Sequence, residues 1–216
     1  MVTICGIDEA GRGPVVGPLV VCGFCITPED EKILRELGVN DSKKLSPAKR
    51  EEIAGQLMTL FTHKYHLIIF WPADIDSREK RGLNLNDLEA MASAQIINHL
   101  KPDQAIIDCP SASPQNYVIG MHKWLTHKVT IRAEYKADAN HLVVGAASIL
   151  AKVERDRLIE ELKKKIGIDF GSGYTSDPKT QEFLAANWNK FPVFRTTWDT
   201  YKQIVAKNNQ KNIFDF

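Results

Sequence analysis

Short apolar stretches dominate the first third of the chain. Residues 2–8, 17–26 and 63–71 are rich in Val, Ile, Cys and aromatic side chains, and a Gly- and Pro-rich connection joins the first two. This pattern is typical of β-strands. Because the three stretches follow one another with no other sheet segment between them, we predict that they form an antiparallel meander.

Helical start signals come next. Ser46 can cap a helix that has Pro47 at its first position, and Asn86 with Glu89 three residues later resembles a capping box before a second apolar-periodic segment. We therefore predict one helix over 47–61 and another that begins at Asn86.

The middle of the chain predicts a βαβ unit. Residues 104–108 and 127–135 read as short strands, and the segment 114–125 between them reads as a helix. The two strands are expected to be parallel. From about 138 to 165 a small-residue apolar pattern changes into a charged amphipathic one, which predicts a single long helix. Two further helices are predicted after Asp177 and over 196–209, the first with Pro178 at its start.

Composition is compatible with one globular domain. The chain has 216 residues, of which 44% are hydrophobic, and 28 basic against 27 acidic residues give a formal charge of +1. Net charge therefore does not indicate a nucleic-acid partner, and any basic surface must be local. No apolar run approaches membrane-spanning length and the first residues lack the features of a signal peptide, so we expect no membrane association and a cytoplasmic location.

The four cysteines are Cys5, Cys22, Cys25 and Cys109. Cys22 and Cys25 have C-x-x-C spacing, but they lie in a predicted strand, where an odd separation sends the side chains to opposite faces. No second pair completes a zinc site. We predict buried, reduced thiols.

Four acids interrupt apolar surroundings: Asp8, Glu9, Asp108 and Asp138. The first three close predicted strands, and Asp138 precedes the small-residue helix. Ionised carboxylates beside a core are costly unless a cation compensates them, and hard divalent cations prefer oxygen ligands. The alternative is that each acid is an unrelated helix cap or surface charge. For any one acid taken alone, and for Asp138 especially because it precedes a helix, this is the simpler interpretation.

Several motifs together resemble ribonuclease HII, the type 2 ribonuclease H. They are "GIDEAGRGPVVGP" (6–18), "NDSKKLS" (40–46), "IIDCP" (106–110), "KADANHLVVGAASILAKVERDR" (136–157), "GSGYTSDPKT" (171–180) and "FPVFRTTWDTY" (191–201). The spacing is more similar to archaeal and eukaryotic members than to bacterial ones. The resemblance implies an α/β ribonuclease H-like fold, a mixed five-stranded sheet flanked by helices with a helical C-terminal part.

The resemblance also implies the chemistry. Asp8, Glu9, Asp108 and Asp138 match the family's catalytic, metal-binding acids, which hold two Mg²⁺ or Mn²⁺ ions for phosphodiester hydrolysis. The implied enzyme is an endoribonuclease that cleaves the RNA strand of RNA/DNA hybrids and incises 5′ to ribonucleotides embedded in duplex DNA, leaving a 3′-hydroxyl and a 5′-phosphate. Its implied use is ribonucleotide removal from DNA. His141 is the one histidine near a proposed metal acid.

Substrate contacts are implied at three places. The turn Gly11-Arg12-Gly13 after the first acids is either a plain tight turn or a contact to a ribose. It does not match the G-x-G-x-x-G motif of dinucleotide-binding proteins, because the next glycine, Gly17, comes one residue too late. In the family, this turn contacts the 2′-hydroxyl of the ribonucleotide, and the tyrosine that corresponds to Tyr174 contacts the sugar at the ribonucleotide junction. Here Thr175 follows this tyrosine, where many relatives have Pro. Basic and hydroxyl groups suit phosphates. The implied substrate-binding residues are Gly11, Arg12, Gly13, Ser42, Lys43, Lys44, Ser148, Lys152, Tyr174 and Arg195.

The end of the chain carries a separate signal. We divide the chain into a catalytic domain over 1–205, including its C-terminal helices, and a mobile tail over 206–216. Gln210, Ile213 and Phe216 have the spacing of a peptide that binds a sliding clamp, although terminal apolar residues can equally fold back onto the domain.

Two competing functions remain. Ribonuclease HIII has an additional N-terminal substrate-binding domain, for which the sequence before residue 6 leaves no room. A catalytically silent hybrid-binding subunit would keep the fold, but the presence of all four acids speaks against it.

Overall fold

The computed structural model describes residues 1–39 and 45–211, with side chains up to residue 209. Its sheet has five strands in the order β3-β2-β1-β4-β5. Their bounds are Ile4–Ala10 (β1), Leu19–Ile26 (β2), Tyr65–Phe70 (β3), Gln104–Asp108 (β4) and Thr130–Glu134 (β5). β1 is antiparallel to β2 and parallel to β4, and β4 is parallel to β5. The mixed sheet and the parallel β4–β5 pair are therefore confirmed.

Helices of the described residues follow the strands in this order: α1 (Glu31–Glu36), α2 (Pro47–Leu60), α3 (Pro72–Lys80), α4 (Leu85–Leu100), α5 (Pro114–Met121), α6 (Ala137–Asn140), α7 (Leu142–Ile166), α8 (Pro178–Asn187) and α9 (Asp199–Lys211). The Ser46 hydroxyl accepts the Lys49 N–H, as the sequence predicts for the start of α2. No helix among these is long and apolar enough to cross a membrane.

Helices pack on both faces of the central strands. Successive side chains of a strand point to opposite faces of the sheet, so residues of opposite parity report on the two faces. A Cβ at Gly6 would lie 2.4 Å from the Val143 backbone, so glycine lets α7 approach one face closely. On the other face, a Cβ at the neighbouring Gly23 would lie 2.2 Å from Ile96 of α4. The sheet therefore contacts α7 on one side and α4 on the other.

Two predicted helix boundaries are wrong. The cap of α4 is Asn84, whose side chain accepts the Asp87 N–H, two residues before the predicted Asn86 start. Glu89 lies further along α4 and is buried. The predicted long helix from 138 is two helices, since His141 has extended backbone angles of φ −128° and ψ 118°. Contacts of Ala137 and His141 with other elements stabilise this interruption of the helix, and helical periodicity cannot predict them.

The chain divides into two compact units. The first comprises residues 1–10, 20–69 and 83–154 and contains most of the sheet; the second comprises residues 11–19, 70–82 and 155–216. The second unit has its own apolar core, which includes Val16, Ile159, Phe170, Phe183 and Phe194. Its last helix, α9, extends to residue 211, so the first six residues that the sequence assigns to a tail are helical.

Candidate active site

Three carboxylates meet at one end of the sheet in the first unit. Asp8 lies near the end of β1, Asp108 closes the parallel strand β4, and Asp138 lies in α6. One oxygen from each lies within 4.8 Å of the others. Asp8 and Asp138 are buried, with 5% and 6% of their surface exposed. For these three residues the hypothesis of unrelated surface charges is wrong.

Asp108 holds the turn that positions Asp138. Its Oδ1 accepts the N–H of Ala137 at 3.0 Å, at the first position of α6. Lys136 precedes this helix with a left-handed φ of 57°, which redirects the chain from β5 into α6. The far end of the turn is held by the His141 ring, whose Nε2 lies 3.0 Å from Glu134 Oε1. These contacts give the chain one helical turn for Asp138 before α7 begins.

Burial beside another carboxylate raises the pKa of Asp8. Desolvation raises the pKa of the Asp8 carboxyl from 3.8 to about 7; the nearby Asp108 adds to the rise, while hydrogen bonds from Ser148 and the Glu9 N–H oppose it. The Glu9 N–H donates to Asp8 Oδ1 at 2.7 Å. A cation among the carboxylates would reverse this effect, because it would stabilise the ionised form.

Ser148 and Lys152 complete this side of the cluster. They lie one turn apart on α7, where Lys152 Nζ donates to Ser148 Oγ at 2.8 Å, and Ser148 is fully buried. The charge of Lys152 lowers the pKa of Asp8, opposing the effect of burial. The structure thus brings two of the sequence-predicted substrate contacts, Ser148 and Lys152, beside an acid.

Glu9 is outside the group of three carboxylates. It follows Asp8 in an extended strand, so its side chain projects from the opposite face of β1, toward α4. Burial is the main cause that raises the pKa of Tyr117 and of Cys109. The charges of Glu89 and Glu9 raise the pKa of Tyr117 further, and those of Asp108, Glu9 and Glu89 raise that of Cys109. Glu89 is a third buried carboxylate among the described residues, and the sequence predicts it only as part of a capping box. Glu89 lies five residues after the cap Asn84, on the apolar face of α4. With the helix start assigned to Asn84, this position predicts that Glu89 is buried.

The turn after β1 belongs to the second unit and is held by one buried guanidinium. Arg195 Nη2 donates to the Gly11 carbonyl at 2.6 Å, Nη1 to the Arg12 carbonyl at 2.9 Å, and Nε to the Gly17 carbonyl at 3.0 Å. Arg195 is 0% exposed. The prediction that Arg195 contacts substrate directly is therefore wrong, since its donors are used inside the protein; it fixes the turn.

Gly11 requires its glycine. Its φ is +83°, and a Cβ there would lie 2.6 Å from the Pro18 carbonyl oxygen. The Gly13 carbonyl accepts a hydrogen bond from Trp198 Nε1 at 3.2 Å. The carbonyls of the turn thus point into the unit.

Tyr174 lies against the same turn. A Cβ at Gly13 would be 3.7 Å from the Tyr174 ring, and 38% of Tyr174 is exposed. The Arg155 guanidinium lies 5.0 Å from the centre of that ring and donates to the Ser172 carbonyl at 2.5 Å. The structure therefore brings Gly11, Arg12, Gly13 and Tyr174 together.

Arg155 and Trp198 are absent from the sequence prediction. Arg155 is buried, and it lies three and four residues before the buried Leu158 and Ile159. A charged residue on the apolar stripe of a helix was the signal that could have identified it.

Some predicted contacts lie outside the described residues. These are Ser42, Lys43 and Lys44, and in the tail Ile213 and Phe216. Gln210 lies in α9, but its side chain is outside the description.

Comparisons with known proteins agree with this architecture. The family model described as "Ribonuclease HII" matches residues 5–201. A ribonuclease HII of Methanocella arvoryzae is 41% identical over 99% of this chain and 96% of its own length. A ribonuclease HII of Thermococcus sibiricus is 43% identical over 98% of this chain and 96% of its own length.

Solved structures give the same result. The ribonuclease H2 of Pyrococcus horikoshii superposes with a TM-score of 0.87 at 39% identity, covering 96% of this chain and 99% of that one. The ribonuclease HII in a PCNA complex from Archaeoglobus fulgidus gives 0.82 at 40% identity, covering 92% and 96%. A Mn²⁺ complex of Bst-RNase HIII shares the fold, with a TM-score of 0.82 at 20% identity. The family match over nearly all of the chain, together with relatives and solved structures at about 40% identity, shows that this chain belongs to the ribonuclease HII family of ribonuclease H enzymes.

Proposed function

We propose that the protein hydrolyses the RNA strand of RNA/DNA hybrids and incises 5′ to ribonucleotides embedded in duplex DNA, leaving a 3′-hydroxyl and a 5′-phosphate. The observation that carries this proposal is the cluster of Asp8, Asp108 and Asp138, with ligand oxygens within 4.8 Å of one another. No serine, cysteine or histidine nucleophile is needed for such hydrolysis when divalent cations are bound. Removal of ribonucleotides from DNA is the proposed use.

The donor set fits Mg²⁺ or Mn²⁺. All three side chains offer hard oxygen ligands, and burial beside Asp108 raises the pKa of the Asp8 carboxyl, so a bound cation would stabilise its ionised form. Asp8, Asp108 and Asp138 would hold the ions, and Glu9, from the other face of β1, is proposed as the fourth acid. Bound ions of this kind lower the pKa of a water and stabilise the charge on the leaving oxygen.

Ser148 and Lys152 have two proposed roles here. The Ser148 hydroxyl holds the Asp8 carboxylate in place, and Lys152, hydrogen-bonded to Ser148, is partly exposed and carries the positive charge that suits a phosphate of the substrate. Binding should accordingly weaken with salt, since phosphate contacts release counterions.

Discrimination of ribose from deoxyribose is proposed for the second unit. A 2′-hydroxyl is both donor and acceptor, so it can be recognised by backbone groups that approach it closely. Arg195 and Trp198 bind the carbonyls of Gly11, Arg12 and Gly13 and fix the turn. Tyr174, with its ring against Gly13 and its side chain part-exposed, is proposed to contact the sugar.

A cleavage assay tests this function. Three substrates are compared with Mg²⁺ and with chelator: a DNA duplex with one ribonucleotide, an all-DNA duplex, and an RNA/DNA hybrid. We expect metal-dependent cleavage of the first and third only. Asp108→Asn should abolish cleavage while substrate binding persists, and Glu182→Gln, at an exposed position of α8, should retain full activity. Cleavage by Asp108→Asn at the wild-type rate would refute the assignment, and binding without cleavage by the wild type would favour a silent subunit.

The ribose-reading role of Tyr174 needs its own variant. Tyr174→Phe keeps the ring beside Gly13 and Arg155, and Tyr174→Ala removes it. We expect Tyr174→Ala to lose preference for the ribonucleotide junction over the plain hybrid, and Tyr174→Phe to lose less. Unchanged preference in Tyr174→Ala would show that this side chain does not read the junction.

A sliding clamp is the proposed protein partner. The relative from Archaeoglobus fulgidus is solved in a complex with PCNA, and the spacing of Gln210, Ile213 and Phe216 here is similar to that of clamp-binding peptides. Because α9 extends to Lys211, truncation after Lys211 removes the two apolar anchors and leaves the helix. We expect an immobilised clamp to retain the full chain and not the truncated one. Equal retention of both would exclude this peptide as the binding element.

A further inference from the structure

Two cysteines face each other across the first two strands. Cys5 of β1 is the register partner of Cys25 of β2. The Cys25 N–H donates to the Lys64 carbonyl at 2.7 Å, away from β1. Since the N–H and C=O of one strand residue point to the same side, Cys25 makes no ladder hydrogen bond to Cys5.

The opposite strand gives the same result. The Thr3 carbonyl accepts the Gln104 N–H from β4 at 3.1 Å, and Cys5, two residues later, has the same orientation away from β2. Cys5 and Cys25 are therefore a non-hydrogen-bonded antiparallel pair. In such pairs the Cα atoms are about 4.5 Å apart and the side chains are closest, which lies within the range that a disulfide requires.

Both thiols point to the face that α4 covers. A Cβ at Gly23, on that face, would lie 3.3 Å from Cys5 Sγ and 2.2 Å from Ile96 of α4. The thiol of Cys5 hydrogen bonds to that of Cys25, and this bond together with burial raises the pKa of the Cys5 thiol. Cys22, an odd number of residues from Cys25, lies on the other face.

A cavity gives access to one thiol of the pair. Cys25 is 8% exposed, whereas Cys5 is 0% exposed. Cys25 lines an open cavity of about 210 Å³ together with Thr27, His63, Lys64 and Lys101. Lys64 is paired with Asp30 at 3.2 Å, and Lys101 adds further positive charge, which favours an anionic reagent at this opening. Because Cys25 is the more exposed of the two cysteines, it is the first thiol that such a reagent meets.

We propose that Cys5 and Cys25 form an oxidation site, which low-molecular-weight disulfides convert into a cross-strand disulfide. Cys25, after losing its proton, attacks one sulfur of the reagent RSSR; the mixed disulfide forms and RSH leaves. Cys5 then attacks the Cys25 sulfur, and the second RSH leaves. The two protein thiols lose two electrons and two protons, and RSSR is reduced to two RSH.

The test uses the full-length protein with oxidised glutathione as the probe. After alkylation of free thiols and proteolysis, mass spectrometry locates disulfide-linked peptides. We expect a Cys5–Cys25 link in most molecules, reversed by dithiothreitol. Because the link constrains a loop of about 20 residues, we also expect the melting temperature to rise by about 5–10 °C.

Matched variants identify the partners. Cys22→Ala should still form the link, whereas Cys5→Ala should stop at a mixed disulfide with glutathione on Cys25. The wild-type result does not depend on these variants folding. Cys5 and Cys25 both remaining reduced, a mixed disulfide on Cys25 as the end product in the wild type, or a link through Cys22 or Cys109 would each overturn the proposal.

Discussion

Replacing Asp8 with Asn should stabilise the metal-free protein. The folded state raises the pKa of Asp8 from 3.8 to about 7, chiefly because it buries the carboxyl. Above pH 7 this corresponds to a destabilisation of roughly 4 kcal/mol, since a tenfold change in proton affinity is worth about 1.4 kcal/mol. The amide oxygen of Asn still accepts the Glu9 N–H but more weakly than a carboxylate, so we expect a net gain of about 2 kcal/mol.

The sign of the pH dependence follows from the same shift. Between pH 4 and 7 the folded state binds more protons at Asp8 than the unfolded state, so the stability of the wild type falls as pH rises through this window. The variant lacks this contribution. The difference between the two proteins should therefore be largest above pH 7 and should decrease as the pH falls toward 4.

Thermal unfolding with chelator measures the effect. For a chain of this length, about 2 kcal/mol corresponds to roughly 4–8 °C, so Asp8→Asn should melt that much higher than the wild type at pH 8. Added Mn²⁺ should raise the melting temperature of the wild type and have little effect on the variant. Glu182→Gln, at an exposed carboxylate, should behave as the wild type. A metal-free variant that melts at or below the wild-type temperature at pH 8 would refute this reasoning.

Three further substitutions test the scaffold of the site. Arg195→Lys replaces the guanidinium that donates to the carbonyls of Gly11, Arg12 and Gly17. Cleavage at a single ribonucleotide should therefore fall at least tenfold, while stabilisation by Mn²⁺ persists. An unchanged kcat/KM would contradict the role of Arg195 in fixing the turn. Gly11→Ala places a Cβ 2.6 Å from a carbonyl oxygen at φ +83°, so the free energy of unfolding should decrease by about 1–3 kcal/mol. Gly55→Ala, with open space around the added Cβ, should cause no such decrease. Ser148→Ala removes a hydrogen bond to Asp8 and should weaken Mn²⁺ binding in calorimetry; equal affinity would exclude that role.

Local patterns predicted the strands well because each strand is a short apolar run bounded by Gly, Pro or an acid. The parallel β4–β5 pair followed from the intervening helix, and the Ser46 cap was visible in the sequence. The short helices α1 and α3 were not predicted, since each carries few apolar positions and depends on neighbouring segments. The break at His141 was missed for a similar reason: its bond to Glu134 joins residues of different elements.

Candidate chemistry divides in the same way. The residue types pointed to Asp8, Asp108 and Asp138, but only the structure shows that their oxygens meet. The pairing of β1 with β4 brings Asp8 and Asp108 together, and the turn held by the Asp108–Ala137 hydrogen bond adds Asp138. The side chain of Glu9 points to the opposite face of β1 from Asp8, because side chains alternate along a strand. This could be predicted from the sequence once β1 was assigned. Arg195 was misread as a substrate contact because burial cannot be read from one residue in a loop.

The carboxylates of Asp8, Asp108 and Asp138 are proposed to hold divalent cations, and anomalous diffraction from a crystal soaked in Mn²⁺ would show these ions. We expect an anomalous peak with ligand oxygens of these three residues at about 2.1 Å. Fully occupied Mn²⁺ sites elsewhere, with no anomalous peak among these oxygens, would contradict this proposal.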